Sequence, residues 1–366
     1  MRFADVRQRT PMVCRCLISI LLLISAERAL AQPSVLFIRG AERSGGFLEA
    51  ENNEQRTEQL ADIHNSSTAP GNHGWFDLAQ TLRDAGFLVT QIIEPLENQA
   101  PNSGPTQGAP IAFESFDLAS YDIVVMGSNN AVYSGASIGA FEQYIRGGGS
   151  ALFISDAGFG SNWADASNSD QQFLDRFGWV IQQDAGTYHL SRQQGDFITP
   201  QHPVLLGINA IAGEGVSPGV WTGVDLPGIV STPLVRAAPG DITRNNDGVP
   251  GSIRATAPTD AASIVAQVGC GRIAIHLDRN TFFNSNGAGA NLHQLDHREY
   301  AINLLSWLSA GGVDADDDGL LGFDDVLLFL SAFVNASPDA DLAAPFGEYD
   351  ISDILSFLDA YTNRCF

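Results

Sequence analysis

The sequence predicts an α/β domain built on an open parallel sheet covered by helices on both faces, followed by a small all-α module. Three observations carry this expectation. Between residues 33 and 309, short apolar runs alternate with amphipathic stretches of helical period, the rhythm of strand–helix–strand units. Hydrophobic residues make up 44% of the chain, ordinary for a protein with a buried core. After Gly311-Gly312 the composition changes abruptly to VDADDDGLLGFDD, which leads into the apolar run VLLFLSAF.

The first 31 residues are set apart as an export signal. Arg2, Arg7, Arg9 and Arg15 form a basic region, Leu17 to Ala26 is apolar, and Ala29-Leu30-Ala31 is a small-residue cleavage pattern before Gln32. The apolar run is too short for a bilayer, which needs about 20 residues. A secreted or cell-surface protein is therefore expected, with no membrane span. This segment carries five arginines against Asp5 and Glu27, so its removal would take the formal net charge from −23 to −26. Such acidity opposes binding to nucleic acid, which needs basic patches, and to anionic membranes. The chain has no lysine, which excludes Schiff-base chemistry and a phosphate-binding GK[ST] loop. Beyond residue 31 the cysteines are Cys270 and Cys365, which either pair and tie the tail to the last strand or stay separate thiols.

Within 32–309, SVLFIRG (34–40) reads as a short buried strand. A helix follows over 74–87, with Trp75, Leu78, Leu82 and Ala85 on one face and Gly86 at its end. LVTQII (88–93), YDIVVMG (121–127) and SALFISD (150–156) are further strands, and helices are expected at 137–149 and 171–178. From 180 to 260 the pattern loosens into short β-like runs, with a strand expected after the His202-Pro203 turn. Residues 262–268 and 272–278 are the last strands, and 298–308 the closing helix. In such a sheet, ligands lie beyond the carboxyl ends of the strands. Those ends and the long loop after the first strand hold Arg39, His73, Asn129, Asn130, Asp156, Asp278, Arg279 and Asn280, a set suited to a polar, uncharged ligand such as a sugar or peptide. The alternative is structural: Asp156 and Asp278 cap helices and pair with Arg39 or Arg279. His297 is expected at the surface, with Asp296 capping the last helix and Glu299 as its capping-box partner. His276 reads as a hydrogen-bonded core histidine.

Residues 310–366 form the module. With Asp314 at position one of a twelve-residue loop, Asp316, Asp318, Gly319, Leu320 and Asp325 occupy positions three, five, six, seven and twelve, a calcium-loop pattern with Asp in place of the usual closing Glu. A second copy lies 28 residues on: DVLLFLSAF aligns with DILSFLDAY. Asp339, Asp341, Asp350 and Asp353 surround Gly347, but position one falls on Leu342, so this loop either carries an insertion and still binds calcium or is a structural mimic.

Two loop-plus-helix halves, the phrase PDADLAAPFGEYDISDILSFLDAY and Cys365 resemble a GC-type dockerin, which implies a calcium-ordered module that attaches its protein to a partner. YDIVVMGSNN, FEQYIRGGGSALFISD, HPVLLGI and GRIAIHLDRNTFFN…DHREYAINLLSWL resemble the class I glutamine amidotransferase-like superfamily, near its ThuA-like branch, which implies a flavodoxin-like fold. Enzymes of that superfamily carry a cysteine in the turn after the strand matched by ALFIS; here the turn reads Ser155-Asp156-Ala157-Gly158. A non-catalytic binding domain is the leading expectation. The alternatives are a hydrolase acting on glycans through Asp156 with Asp278, or with His297 and Glu299, and a structural surface protein.

Overall fold

The computed structural model describes residues 32–40, 61–66, 74–94, 109–127, 129, 131–155, 166–181, 184–216, 219–221, 226–227, 229–236, 242–244, 250–255, 261–284, 290–309, 315, 323–337, 340–343 and 346–363. In chain order the strands are β1 (Ser34–Arg39), β2 (Leu88–Ile93), β3 (Ile123–Met126), β4 (Ser150–Ser155), β5 (Trp179–Ile181), β6 (Asp184–Ser191), β7 (Ala210–Val216), β8 (Gly219–Trp221), β9 (Ile229–Val235), β10 (Ile242–Arg244), β11 (Pro250–Ala255), β12 (Ser263–Val268) and β13 (Gly271–Leu277). The helices are α1 (Phe76–Asp84), α2 (Gly135–Arg146), α3 (Ala166–Leu174), α4 (His297–Ser309), α5 (Phe323–Val334) and α6 (Ile351–Asn363).

The central sheet has the order β2-β1-β3-β4-β13-β12-β9. Its first five strands run parallel, in the doubly wound order 2-1-3-4-5 when numbered within the sheet. β12 and β9 extend it antiparallel, so the fully parallel sheet read from the sequence is corrected at this edge. The reason is the Gly269-Cys270 turn: it joins β12 to β13 as a hairpin, and a hairpin can only be antiparallel. Gly271 is needed there because a Cβ would lie 2.0 Å from the Gly149 carbonyl oxygen and 2.1 Å from that of Ile145.

Strand alternation sorts side chains between two cores. Val35, Phe37, Ile123, Val125, Leu152 and Ile154 face one, with Leu78 and Leu82 of α1 and Tyr300, Leu304 and Leu308 of α4. Leu36, Ile38, Val124, Met126, Ala151 and Phe153 face the other, with Phe141 and Ile145 of α2 and Phe173 of α3. Helices thus cover both faces, and each fully buried large side chain contributes roughly 1.5–3 kcal/mol.

Several local expectations are corrected. α1 starts at Phe76, and Trp75 is its buried N-cap residue. The helix placed at 171–178 is α3 followed by a 3-10 turn over Asp175–Phe177, closed by Gly178 at φ +75°. Residues 203–205 form a 3-10 turn rather than a strand: Pro203 has no N–H for a ladder, and the His202 ring accepts the Val204 N–H at 3.2 Å. Among the described residues, no helix is long and apolar enough to cross a membrane.

Candidate functional site at the carboxyl ends of the strands

The parallel strands end at one edge, and each delivers a polar group there. Arg39 closes β1, and its Nη1 donates to Asp62 Oδ2 at 3.2 Å. Asp62 Oδ1 in turn accepts from His64 N at 2.8 Å and Gln91 Nε2 at 3.0 Å, so this acceptor is held from three sides. The arginine therefore pairs with a carboxylate of the first loop, Asp62.

Glu94 follows β2, is buried, and accepts a short hydrogen bond from the Tyr133 hydroxyl. Burial, then the Glu94 charge, raises the Tyr133 phenol well above its ordinary value, so it stays a donor. α3 fixes the loop after β3. Ser169 Oγ accepts from Asn129 Nδ2 at 3.0 Å, and Gln172 Oε1 accepts from Tyr133 N at 2.9 Å. Asp170, fully buried on the same helix, is close enough for its charge to act on Tyr133. At the ends of β3 and β4, Asn129 Oδ1 and Ser155 Oγ are buried without a hydrogen-bond partner among the described residues. A buried unmade hydrogen bond costs about 1–3 kcal/mol.

Beyond β13, Asp278 adopts φ +135°, a region that non-glycine residues avoid at a cost of about 1–3 kcal/mol. Its Oδ1 accepts the Asn280 N–H at 2.9 Å and caps the 3-10 turn Arg279–Phe282. The capping alternative thus holds for Asp278. A buried polar spine braces the strained residue from behind: His276 Nε2 lies 2.8 Å from Thr281 Oγ1, His276 Nδ1 lies 3.2 Å from the Tyr300 hydroxyl, and the Tyr188 hydroxyl donates to the Leu277 carbonyl at 3.0 Å. Burial pushes the His276 imidazole down to about 3, so it is neutral, as a hydrogen-bonded core histidine should be.

The structure brings Arg39, Asn129, Asp278, Arg279 and Asn280 to this edge, and all five are buried. His73, Asn130 and Asp156 lie outside the described residues. Glu94, Tyr133 and Asp170 went unread in the sequence. The strand-end rule that selected Arg39 would have selected Glu94, which directly follows LVTQII.

His297 and Glu299 are not brought into this edge as a working pair. His297 is buried, contrary to the surface position expected of it. Its Nε2 accepts the Ala212 N–H at 2.7 Å and its Nδ1 donates to the Asn291 carbonyl at 2.6 Å, which stitches α4 to β7. Burial lowers its pKa to about 4. Asp296 does not cap α4 with its side chain as a capping box would require; its Oδ2 accepts from Asn209 N at 2.6 Å and Ala210 N at 3.1 Å. Glu299 is exposed.

In the C-terminal segment, Asp314, Asp316, Asp318, Leu320, Asp339 and Cys365 lie outside the described residues. Asp325 is buried and its Oδ1 accepts the Ala315 N–H at 2.7 Å. Asp353, exactly matched by the 28-residue shift, accepts from Ala343 N at 2.9 Å and Leu342 N at 2.7 Å through Oδ1, and from Asp350 N at 3.0 Å through Oδ2. Asp350 Oδ1 accepts from Ser352 N at 2.7 Å. Asp341 Oδ2 accepts from Gly347 N at 2.8 Å; burial raises the Asp341 pKa to about 6, against the lowering effect of that bond. The duplication also shows in the core: Phe329 of α5 stacks on its counterpart Phe357 of α6, centroids 4.1 Å apart. Among the described residues, no group of three or more His, Cys, Asp or Glu is arranged to hold a metal. Cys270 is disulfide-bonded and joins the small apolar cluster of Phe329, Ala340 and Phe357.

No family model matches the chain, and no curated protein does. Among solved structures it is similar to the mmIFT52 N-terminal domain (10% identity, 75% of this chain and 97% of that one, TM-score 0.44). A cytoplasmic protein from Salmonella typhimurium matches at 14% identity over 76% of this chain and 99% of that one, TM-score 0.40. A ThuA-like protein from Bacteroides uniformis matches at 12% identity over 76% and 92%, TM-score 0.39. The fold assignment rests on the strand order itself: a mixed α/β architecture with a mostly parallel central sheet flanked by helices, consistent with a flavodoxin-like fold.

Proposed function

We propose that the chain is an exported, non-catalytic binding protein. Its amidotransferase-like α/β domain takes a polar, uncharged ligand at the carboxyl ends of the strands, and its dockerin-like module, ordered by calcium at the first loop, attaches it to a protein partner. The observation that carries the ligand reading is the pair Asn129 Oδ1 and Ser155 Oγ, buried without partners among the described residues at the ends of adjacent strands. The strained Asp278 on the next strand supports it, because strain persists where the surroundings are built to hold it. The D-x-D-x-D-G spacing supports calcium, held by Asp314, Asp316, Asp318, Asp325 and the Leu320 carbonyl. Attachment is supported by the face of α5 that leaves Phe323, Leu327, Leu330 and Val334 exposed at helical spacing. A disulfide between Cys270 and Cys365 belongs to the same reading. Acid–base catalysis by His297 is disfavoured because both ring nitrogens are engaged in the fold.

The test is retention of the intact chain on saccharide and peptide arrays, compared with Ser155→Ala. Removing a buried, unpartnered hydroxyl should raise the stability of the free protein by about 1 kcal/mol, while weakening retention of the ligand. An array without a retained member, or retention unchanged by Ser155→Ala, would sink the reading.

A further inference from the structure

The two halves of the C-terminal segment keep the same spacing but not the same chemistry. A shift of 28 residues superposes Gly319 on Gly347, Asp325 on Asp353, Phe329 on Phe357 and Phe333 on Tyr361. The second loop therefore has no insertion, and its irregularity is one of residue type. Where the first loop has Asp314, Asp316 and Asp318, the second has Leu342, Ala344 and Phe346.

We propose that the second loop has exchanged cation binding for docking: Phe346 is a cation-independent latch that fixes the C-terminal helices on the α/β body. Calcium needs six to eight hard oxygens. With the first three ligand positions apolar, the loop retains the Asp350 and Asp353 carboxylates and the Glu348 carbonyl as loop ligands. Those carboxylates are committed elsewhere: Asp353 accepts three backbone N–H groups and Asp350 accepts a fourth. Asp341, one residue ahead of position one, braces the bend by accepting the N–H of Gly347, whose φ of +84° suits glycine. The loop thus holds its shape with protein donors alone.

The freed position five supplies the contact with the body. The Phe346 ring meets the His202 ring edge-to-face at 4.5 Å between centroids, and His202 lies 5.2 Å from the Trp307 ring. The Arg272 guanidinium sits 4.8 Å from the centre of that indole and donates to the Trp307 carbonyl at 2.5 Å. Phe346 therefore inserts at a site already built from β13, α4 and the 203–205 turn. Beside it the seam is loosely filled: a cavity of about 400 Å³ runs between Val230, Thr232 and Gln267 of the body and Ser352 and Leu355 of α6. Phe346 and Cys270, which packs among Phe329, Ala340 and Phe357, are the contacts that dock the segment on the body, and Phe346 is the one supplied by the second loop.

The inference holds whether or not the first loop takes calcium, and hydrogen exchange of the intact chain with reduced and with oxidised cysteines tests it. With calcium and then with excess chelator, the Leu342, Ala343, Gly347 and Asp350 amides should keep their protection within about twofold. A loss of about tenfold or more on chelation would overturn it. Calcium titration by calorimetry should give one site, removed by Asp314→Ala with Asp318→Ala. Two sites would overturn the latch; no heat at all would support its cation independence while removing the calcium role proposed for the first loop. In Phe346→Ala, protection should fall at least about tenfold in the second loop and at the Val204 amide, and stay unchanged in β1 and β4. Phe346→Leu, which keeps apolar volume, should fall between the two and serves if the alanine variant does not fold. Unchanged protection in either variant, or collapse of β1 and β4 as well, would overturn the proposal.

Discussion

Aspartate carboxylates that accept backbone N–H groups brace both the α/β body and the C-terminal segment, but the two regions depend on them unequally. In the body, Asp278 caps a turn and Asp296 accepts two N–H groups from the start of β7. These braces sit beside two large apolar cores. Among the described residues of the tail, the buried apolar ones are Phe329, Ala340, Phe346 and Phe357, with Cys270 contributed by the body. There the Asp325 carboxylate accepts the Ala315 N–H and the Asp353 carboxylate holds the loop ahead of its own helix. The same device is a refinement in one region and a foundation in the other, because its weight depends on how much apolar burial stands beside it.

The largest expected effect follows directly. Asp353→Ala strips the acceptor from three backbone N–H groups and should cost the tail about 3 kcal/mol or more. Calorimetry should then show the tail melting separately and earlier than the body. A single unshifted transition would mean that apolar packing holds the tail as it holds the body, and the contrast would fail.

Acid should reverse the ranking and strike the body. His276 and His297 lie within it at about 3 and 4, and His202 at the seam is at about 3, each lowered chiefly by burial. The unfolded histidine, near 6.5, binds protons that the folded one refuses. Stability from each is therefore full above about pH 6.5 and falls as pH drops toward its folded value. At pH 5 the loss should be about 2 kcal/mol per histidine. Urea midpoints from pH 7 to pH 5 measure it, and a flat profile would contradict the burial of these rings.

The smallest effect sharpens the comparison at its surface. Glu299 is exposed, and the Asp296 side chain is spent on β7 rather than on a capping box. Glu299→Ala should change stability by less than about 0.5 kcal/mol. A loss near 1 kcal/mol, read from the same urea midpoints, would restore the capping box.

Much of the fold was legible in the sequence because its signals are local. The apolar runs of β1, β3 and β4 are near-continuous because both faces of these strands are buried, and α1, α2 and α4 follow from helical spacing. Half of the candidate site was legible for a topological reason: parallel strands must end on one edge, which placed Arg39, Asn129 and Asp278 together. Asp170 was missed because a carboxylate buried by distant segments looks, locally, like one facing water. His297 was misread for the same reason, since the Ala212 N–H that engages it lies 85 residues away.

The sequence by itself determined the strand and helix periods, the 28-residue duplication and the aspartate spacing of the first loop, all properties of neighbouring residues along the chain. Only the tertiary structure decided the antiparallel edge, the strain held at Asp278, the stitching of α4 to β7 through His297, and the seating of Phe346 on His202. Those features depend on contacts between segments far apart in sequence. Their free energy comes from burying groups against partners that no local pattern names.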